Sequence, residues 1–285
     1  LNTEFIPDDC FRYDVKVDQR RHIIFATDQQ IEFLGKFKTI YVDGTFKLVR
    51  KPFTQLLTFH AFIRSCENLK QPSVTSFVTD FEKGIWKGIQ KAFSLPIHGF
   101  VFHWSQAVWR KVQSLGLQVA YNKRDDIHKL IRKLFSLPLL PAEHIPDAFE
   151  ELFSGSHPTQ IVELLNYIHD NWMTSSVWTV SLWSVFNMSV RTNNDVERWH
   201  RRINDRAHGS ANVPFYLLIQ LLHREAKCLP TQVKLICEGK LKRVQRKSTL
   251  KLFKKLHSLW NAYENGEVST SQFLKRCGRI YAPMT

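Results

Sequence analysis

The sequence lacks paired cysteines, long apolar runs, internal repeats and low-complexity tracts. Its five cysteines are irregularly spaced, and none belongs to a C-x-x-C pair. Such spacing argues against a disulfide framework and a zinc finger, and it favours a reducing compartment. The most apolar stretch, residues 177–186, is interrupted by Thr179, Ser181 and Ser184, and it is much shorter than the roughly 18 apolar residues of a membrane-spanning helix. We therefore expect no membrane partner.

Acidic residues are scarce relative to basic ones. The chain has 40 lysines and arginines against 26 aspartates and glutamates, which gives a net charge of +14. This balance favours a polyanionic partner, most often nucleic acid. Residues 234–255 hold nine basic residues and one acid, Glu238. A solvated helix face is the alternative interpretation of that run.

The length of 285 residues, with 44% hydrophobic and 23% charged residues, suits one large globular domain or two ordinary ones. Because the first residue is Leu1 and not methionine, we expect residues 1–35 to be the N-terminal flank of a larger protein. Asp8 and Asp9 lie where a signal peptide would be apolar.

The apolar pattern predicts strands and helices in a definite order. Strands are expected at residues 22–27, 37–43, 55–63, 74–79 and 99–102, the third of them as an almost continuous buried run. A helix between the last two ends at Pro96, and residues 125–170 have helical periodicity throughout. This order predicts an α/β core interrupted by an all-helical insertion. The expected parts are the first part of the core at 36–118, the insertion at 119–190, a core helix at 191–228 and a basic helical C-terminal region at 229–285.

Two aspartates lie at the ends of predicted strands, Asp43 after the second and Asp80 after the fourth. A buried carboxylate is costly unless a hydrogen bond, a cation or a metal compensates it. If these strands are neighbours, both carboxylates share one sheet edge, where a divalent ion would relieve their repulsion. Oxygen ligands favour Mg²⁺ or Mn²⁺, and pairs of such ions support phosphoryl transfer. For Asp43 alone, an Asp-Gly turn is the ordinary alternative.

Glu197 is the candidate third acid, on a predicted helix late in the chain. The pattern Asn194-x-x-Glu197 also fits a capping box, in which the glutamate reaches back to the first backbone amide. A glutamate that caps its own helix cannot also bind a metal, and the spacing alone leaves both roles open.

Four motifs in this order resemble the Mutator-like element (MULE) transposases, over roughly residues 20–210. No single motif is specific to the family, but the ordered set is. The motifs are Val42-Asp43-Gly44-Thr45-Phe46; Thr79-Asp80-Phe81-Glu82; Phe102-His103-Trp104-Ser105-Gln106 with Arg110-Lys111 and Leu115-Gly116-Leu117; and Thr192-Asn193-Asn194 with Glu197, Trp199 and His200.

The resemblance implies a ribonuclease H-like core with a DDE catalytic triad and a helical insertion before the glutamate. Asp43, Asp80 and Glu197 would be the catalytic residues and the ligands of two Mg²⁺ or Mn²⁺ ions, in an enzyme that cuts DNA and joins its 3′-OH to target DNA. The resemblance also implies a nuclear location, DNA as partner, a homo-oligomer and no small-molecule cofactor. The implied DNA-binding residues are His103, Gln106, Arg110, Lys111, Asn194 and His200.

Two departures from the family pattern bear on activity. Phe100 stands where the family usually has cysteine or aspartate, three residues before the histidine. From Asp43 to Asp80 the chain advances only 80 − 43 = 37 positions, and residues 64–73 are too few for the third strand and first helix of a ribonuclease H-like core. Two interpretations therefore stay open: an active transposase, or a transposase-derived DNA- or protein-binding protein that has lost nuclease activity. A ribonuclease H-like exonuclease is disfavoured because Asp43-Gly44-Thr45 lacks the second acid of an Asp-x-Glu motif.

Overall fold

The computed structural model describes residues 1–46, 48–63, 74–123, 126–188, 194–207, 212–241 and 247–280, without the side chains of residues 194 and 247–249. The fold is mixed α/β with a small mixed sheet and many helices, as the sequence predicts. The strands are β1 (Phe11–Val17), β2 (Arg20–Phe25), β3 (Thr39–Thr45), β4 (Leu56–His60), β5 (Ser76–Thr79) and β6 (Ile97–Gly99). The helices are α1 (Asp28–Gly35), α2 (Lys83–Ala92), α3 (Val101–Ser114), α4 (Gln118–Asn122), α5 (Asp126–Ser136), α6 (Ile145–Phe153), α7 (Thr159–Ile168), α8 (Val180–Trp183), α9 (Asn194–Arg206), α10 (Phe215–Lys227), α11 (Leu229–Cys237), α12 (Lys247–Glu264) and α13 (Thr270–Ile280).

The strands form two sheets. β1 and β2 are an antiparallel hairpin, and the second sheet has the order β4-β3-β5-β6. β3 and β5 begin side by side, because the backbone amide of Ser76 donates to the carbonyl of Lys38 at 3.0 Å and the hydroxyls of Thr39 and Ser76 lie 3.0 Å apart. Neighbouring strands that start together run in the same direction, so β3 and β5 are parallel.

Asp43 lies inside its strand, which corrects the prediction that it ends one. β3 continues to Thr45 because β4 goes on pairing with it, antiparallel, at Gly44 and Thr45. The Asp-Gly pair is therefore extended sheet backbone, and the alternative of a capped turn at Asp43 is wrong.

Two other strand predictions also need correction. β4 is not a continuous buried run, since Leu57 is 41% exposed and Phe59 49% exposed; it is an edge strand with one open face. The predicted strand at residues 99–102 is shifted, because β6 ends at Gly99 and α3 begins at Val101. A short apolar run fits a buried helix start as well as a strand, which explains the error. Residues 64–73 lie outside the described part of the chain, so the third strand and first helix of a ribonuclease H-like core stay untested.

The chain forms two compact units. Unit 1 comprises residues 1–78 and 194–244, and unit 2 comprises residues 79–193 and 245–285. Unit 2 holds a large apolar core built from α3, α5, α6, α7, α12 and α13. At its centre Trp104 stacks on Trp183 with ring centroids 4.7 Å apart, and the Trp104 indole donates to the Leu134 carbonyl at 3.2 Å. Most of residues 126–170 are helical, as predicted, with breaks at residues 140–141 and 154–158.

Unit 1 has a smaller core between the segment after β3, α9 and α10, in which Ile203 and Val213 are buried. Arg202 of α9 pairs with Glu225 of α10 at 2.6 Å, which fixes the two helices together. Cys237 is disulfide-bonded, which the irregular cysteine spacing did not predict. Within the described ranges, no helix is long and apolar enough to span a bilayer.

Candidate functional site

Asp43 is the buried centre of the candidate site in unit 1. Its side chain is 9% exposed, and its Oδ2 lies 3.0 Å from Nε2 of His200 on α9. The ring nitrogens of His200 are buried and make no hydrogen bond within the described residues. The imidazole of His200 is therefore a polar neighbour that helps to compensate the burial of the Asp43 carboxylate.

A second histidine, His60 of β4, completes this cluster. Asp43 pairs across the sheet with Thr58, whose hydroxyl donates to the Asp43 carbonyl at 3.2 Å and lies 2.7 Å from Nε2 of His60. The His60 ring packs edge-on against Trp199 at 4.8 Å. Burial of the ring, helped by the neighbouring His200, lowers the pKa of His60 to about 4. His60 is therefore a neutral imidazole at neutral pH.

Helix α9 carries the predicted third acid. Glu197 is half-buried and precedes His200 by three residues, so the two side chains lie on one face of the helix. The helix begins at Asn194, whose side chain is outside the described set, and the residue before it is outside as well. The capping-box alternative for Asn194 and Glu197 therefore stays a prediction.

Asp80 forms a separate pair within unit 2. Its Oδ1 lies 2.7 Å from Nε2 of His103, and the two side chains are 24% and 22% exposed. The Trp86 indole donates to the Asp80 backbone carbonyl at 2.5 Å. The next residue, Phe81, stacks on Trp86 with centroids 5.9 Å apart and covers Gly99 so closely that a Cβ there would meet its ring. This packing fixes the backbone on both sides of the carboxylate.

The other predicted DNA-binding residues of unit 2 share helix α3, as the sequence predicts. His103 and Gln106 are one turn apart, and both are partly exposed. Arg110 is exposed one turn further along, whereas the Lys111 ammonium lies 5.6 Å from the Tyr167 ring centroid. Phe100 is fully buried just before α3, where it makes no side-chain capping bond.

The sequence interpretation missed His60 and Thr58. Both lie on β4 at alternate positions opposite β3, and their contact with Asp43 depends on the pairing register of two strands. Period-2 alternation of polar residues in β4 is the signal that would have identified them.

Neither a metal cluster nor a relative identifies the site. Within the described ranges, no three His, Cys, Asp or Glu side chains are grouped so that they could hold a metal ion. Comparison with protein-family models, curated proteins and solved structures gives no match.

Proposed function

We propose that the chain is the catalytic region of a MULE-type DNA transposase, in which Asp43, Asp80 and Glu197 are the acids of a DDE triad. The ordered motifs around these residues support the proposal, as does the mixed α/β fold. The strongly basic balance, +14 overall, suits a DNA substrate.

The observation that carries the proposal is the contact between Asp43 and His200. It brings α9 against β3 although the two residues are 200 − 43 = 157 positions apart in the sequence. Glu197 lies one turn before His200 on the same helix face. A DDE triad requires the late glutamate to return to the first strand in this way.

The position of Asp80 is supported by strand register. β3 and β5 start together at Thr39 and Ser76 and run parallel. Asp43 is four residues beyond Thr39, and Asp80 is four residues beyond Ser76. These sequence positions support the assignment of both aspartates to the proposed triad.

The three acids supply carboxylate oxygens, the ligands that Mg²⁺ and Mn²⁺ prefer, although within the described ranges no three such side chains are grouped as a metal site. Asp43, Asp80 and Glu197 would hold Mg²⁺ or Mn²⁺, which supplies an activated nucleophile and neutralises the leaving oxygen in phosphoryl transfer. His200 and His103 orient the two aspartates. Arg110 is exposed on α3, where it can bind a DNA phosphate.

The test is strand cleavage and strand transfer by the purified protein on labelled duplex and plasmid DNA, with Mg²⁺, Mn²⁺ or EDTA. Asp43→Asn, Asp80→Asn and Glu197→Gln should each reduce the rate by about a hundredfold or more. Asp126→Asn is the matched control, because that side chain is 96% exposed, at the first residue of α5. Equal rates in the triad variants and the wild type, or cleavage that persists in EDTA, would contradict the proposal.

A transposase-derived DNA-binding protein without nuclease activity is the second candidate. The fully buried Phe100 favours it, because an apolar ring replaces the polar residue that the family usually has there. DNA binding without metal-dependent cleavage in the same assays would select this candidate.

A further inference from the structure

A basic groove lies between α12 and α13 in unit 2, apart from the residues of the candidate active site. It is shallow and open, with a volume of about 530 Å³. Four cations line it, Lys254 and Lys255 from α12 with Arg276 and Arg279 from α13, together with the apolar side chains of Leu259 and Ile280.

The four cations are exposed, and none forms an ion pair with a described residue. They differ in this from other exposed cations of the chain, such as Lys129, which pairs with Asp126 at 2.7 Å. Among the described residues no acidic side chain lines the groove, and the sequence of α13 contains none. Four like charges held together without a counter-charge repel one another, so the groove attracts an anion.

The helices that carry these cations are fixed by the core of unit 2. Leu256 and Trp260 of α12 are buried, and the Trp260 indole donates to the Leu139 carbonyl at 2.8 Å. α13 packs on α5 through Gly278, where a Cβ would meet the Arg132 backbone, and the Arg132 guanidinium donates to the Gly278 carbonyl at 2.5 Å. The charges therefore stand on a rigid frame, which lowers the entropic cost of binding.

We propose that this groove binds the phosphate backbone of DNA. An open surface with four cations on two helices suits a polyanion, and Arg276 and Arg279, one helical turn apart, can each engage a phosphate. An anionic membrane is the less suitable partner, because membrane-surface helices insert a row of apolar side chains. The apolar residues of α12 and α13 are instead mostly directed into the core, with Phe273, Leu274 and Trp260 all buried. The inference rests on DNA as the partner in the proposed function, but it does not depend on cleavage.

The experiment is equilibrium binding of a fluorescent DNA duplex in EDTA, measured from 50 to 300 mM salt. The quadruple variant Lys254→Ala, Lys255→Ala, Arg276→Ala and Arg279→Ala should bind more weakly than the wild type. The slope of log K against log salt should fall in magnitude by about 3 to 4, since each phosphate contact contributes about 0.9. The charge-matched control replaces four other exposed lysines of unit 2 with alanine: Lys87, Lys91, Lys123 and Lys129. Circular dichroism of both variants checks that they are folded.

The inference is overturned if the groove variant binds DNA with the wild-type affinity and salt slope. It is also overturned if the groove and control variants lose equal affinity, or if the wild type does not bind DNA. Vesicles with anionic lipid are the second probe. If the groove variant loses vesicle binding but keeps normal DNA binding, the groove binds a membrane and the inference is overturned as well. The carboxylate variants act on cleavage and not on binding in EDTA. The binding assay can therefore contradict the DNA-binding role of the groove without contradicting the proposed catalysis, and the cleavage assay can do the reverse.

Discussion

The molecule holds two aspartate–histidine pairs whose surroundings differ. In unit 1, Asp43 lies within a strand and its side chain is 9% exposed, whereas Asp80 in unit 2 follows a strand and is 24% exposed. The first pair has a second, neutral histidine beside it, His60. The second is supported through the backbone, by the Trp86 indole. The same two residue types are thus placed in a dry polar cluster in one unit and in a partly hydrated position in the other.

The difference shows what burial demands of a carboxylate. The Asp80 side chain is more exposed than that of Asp43, so water can contribute more to its solvation. Asp43 has little water, and it is compensated by a charged or polar neighbour on each side, with its backbone carbonyl bound by Thr58. We expect the protein's stability to depend more on the first pair than on the second.

The largest expected effect concerns His60. Its pKa is lowered from 6.5 to about 4, which corresponds to about 3 kcal/mol of free energy. Between these two pH values the unfolded chain binds a proton that the folded chain does not. The free energy of unfolding should therefore fall as the pH drops from about 6.5 to about 4, and the His60 contribution should be fully lost below that.

His60→Gln removes the titrating group but keeps a polar side chain beside Thr58. In urea unfolding with EDTA, the wild type should lose about 3 kcal/mol more than this variant between pH 7 and pH 4. His22→Gln, at an exposed position of β2, should retain the wild-type pH dependence. Parallel pH profiles for the wild type and His60→Gln would show that His60 does not titrate as a buried group.

The second prediction compares the aspartates directly. Asp43→Ala should cost about 2 kcal/mol, because it leaves His200 buried without its acidic partner, and Asp80→Ala about 1 kcal/mol, because His103 can turn to water. The measurement is the free energy of unfolding at pH 7 without metal. An equal or larger loss at Asp80 would reverse the comparison between the two pairs.

Much of the architecture was predictable because its signals are local. Apolar periodicity predicted α2 and α3, but the predicted end of α2 at Pro96 is wrong, because the helix ends at Ala92. The chain position of β3 was predicted within two residues at each end. The hairpin strand β1 was missed, although Phe11, Tyr13, Val15 and Val17 alternate with polar residues in the way a strand requires.

The candidate site was less predictable because it depends on contacts between distant segments. Where β3 ends is decided by its pairing with β4, and the exposure of Phe59 by the edge position of that strand. No local pattern shows that His60 lies beside His200, 140 positions later (200 − 60). The candidate acids can be identified from the sequence, but the side chains that contact them depend on tertiary packing.

The smallest expected effect is the most specific, because one substitution should act with opposite signs in the two units. The Thr58 hydroxyl, beside Asp43, is hydrogen-bonded both to the Asp43 carbonyl and to the His60 ring. The Thr79 hydroxyl, fully buried just before Asp80, has no hydrogen-bond partner within the described residues. Thr58→Val should therefore destabilise the protein by about 1 kcal/mol, and Thr79→Val should stabilise it by up to about 1 kcal/mol, as measured by thermal unfolding. If Thr79→Val is instead destabilising, the hydroxyl has a partner in solution, such as a bound water. If the variant is more stable but cleaves DNA more slowly, the hydroxyl beside Asp80 is retained for function at a cost in stability.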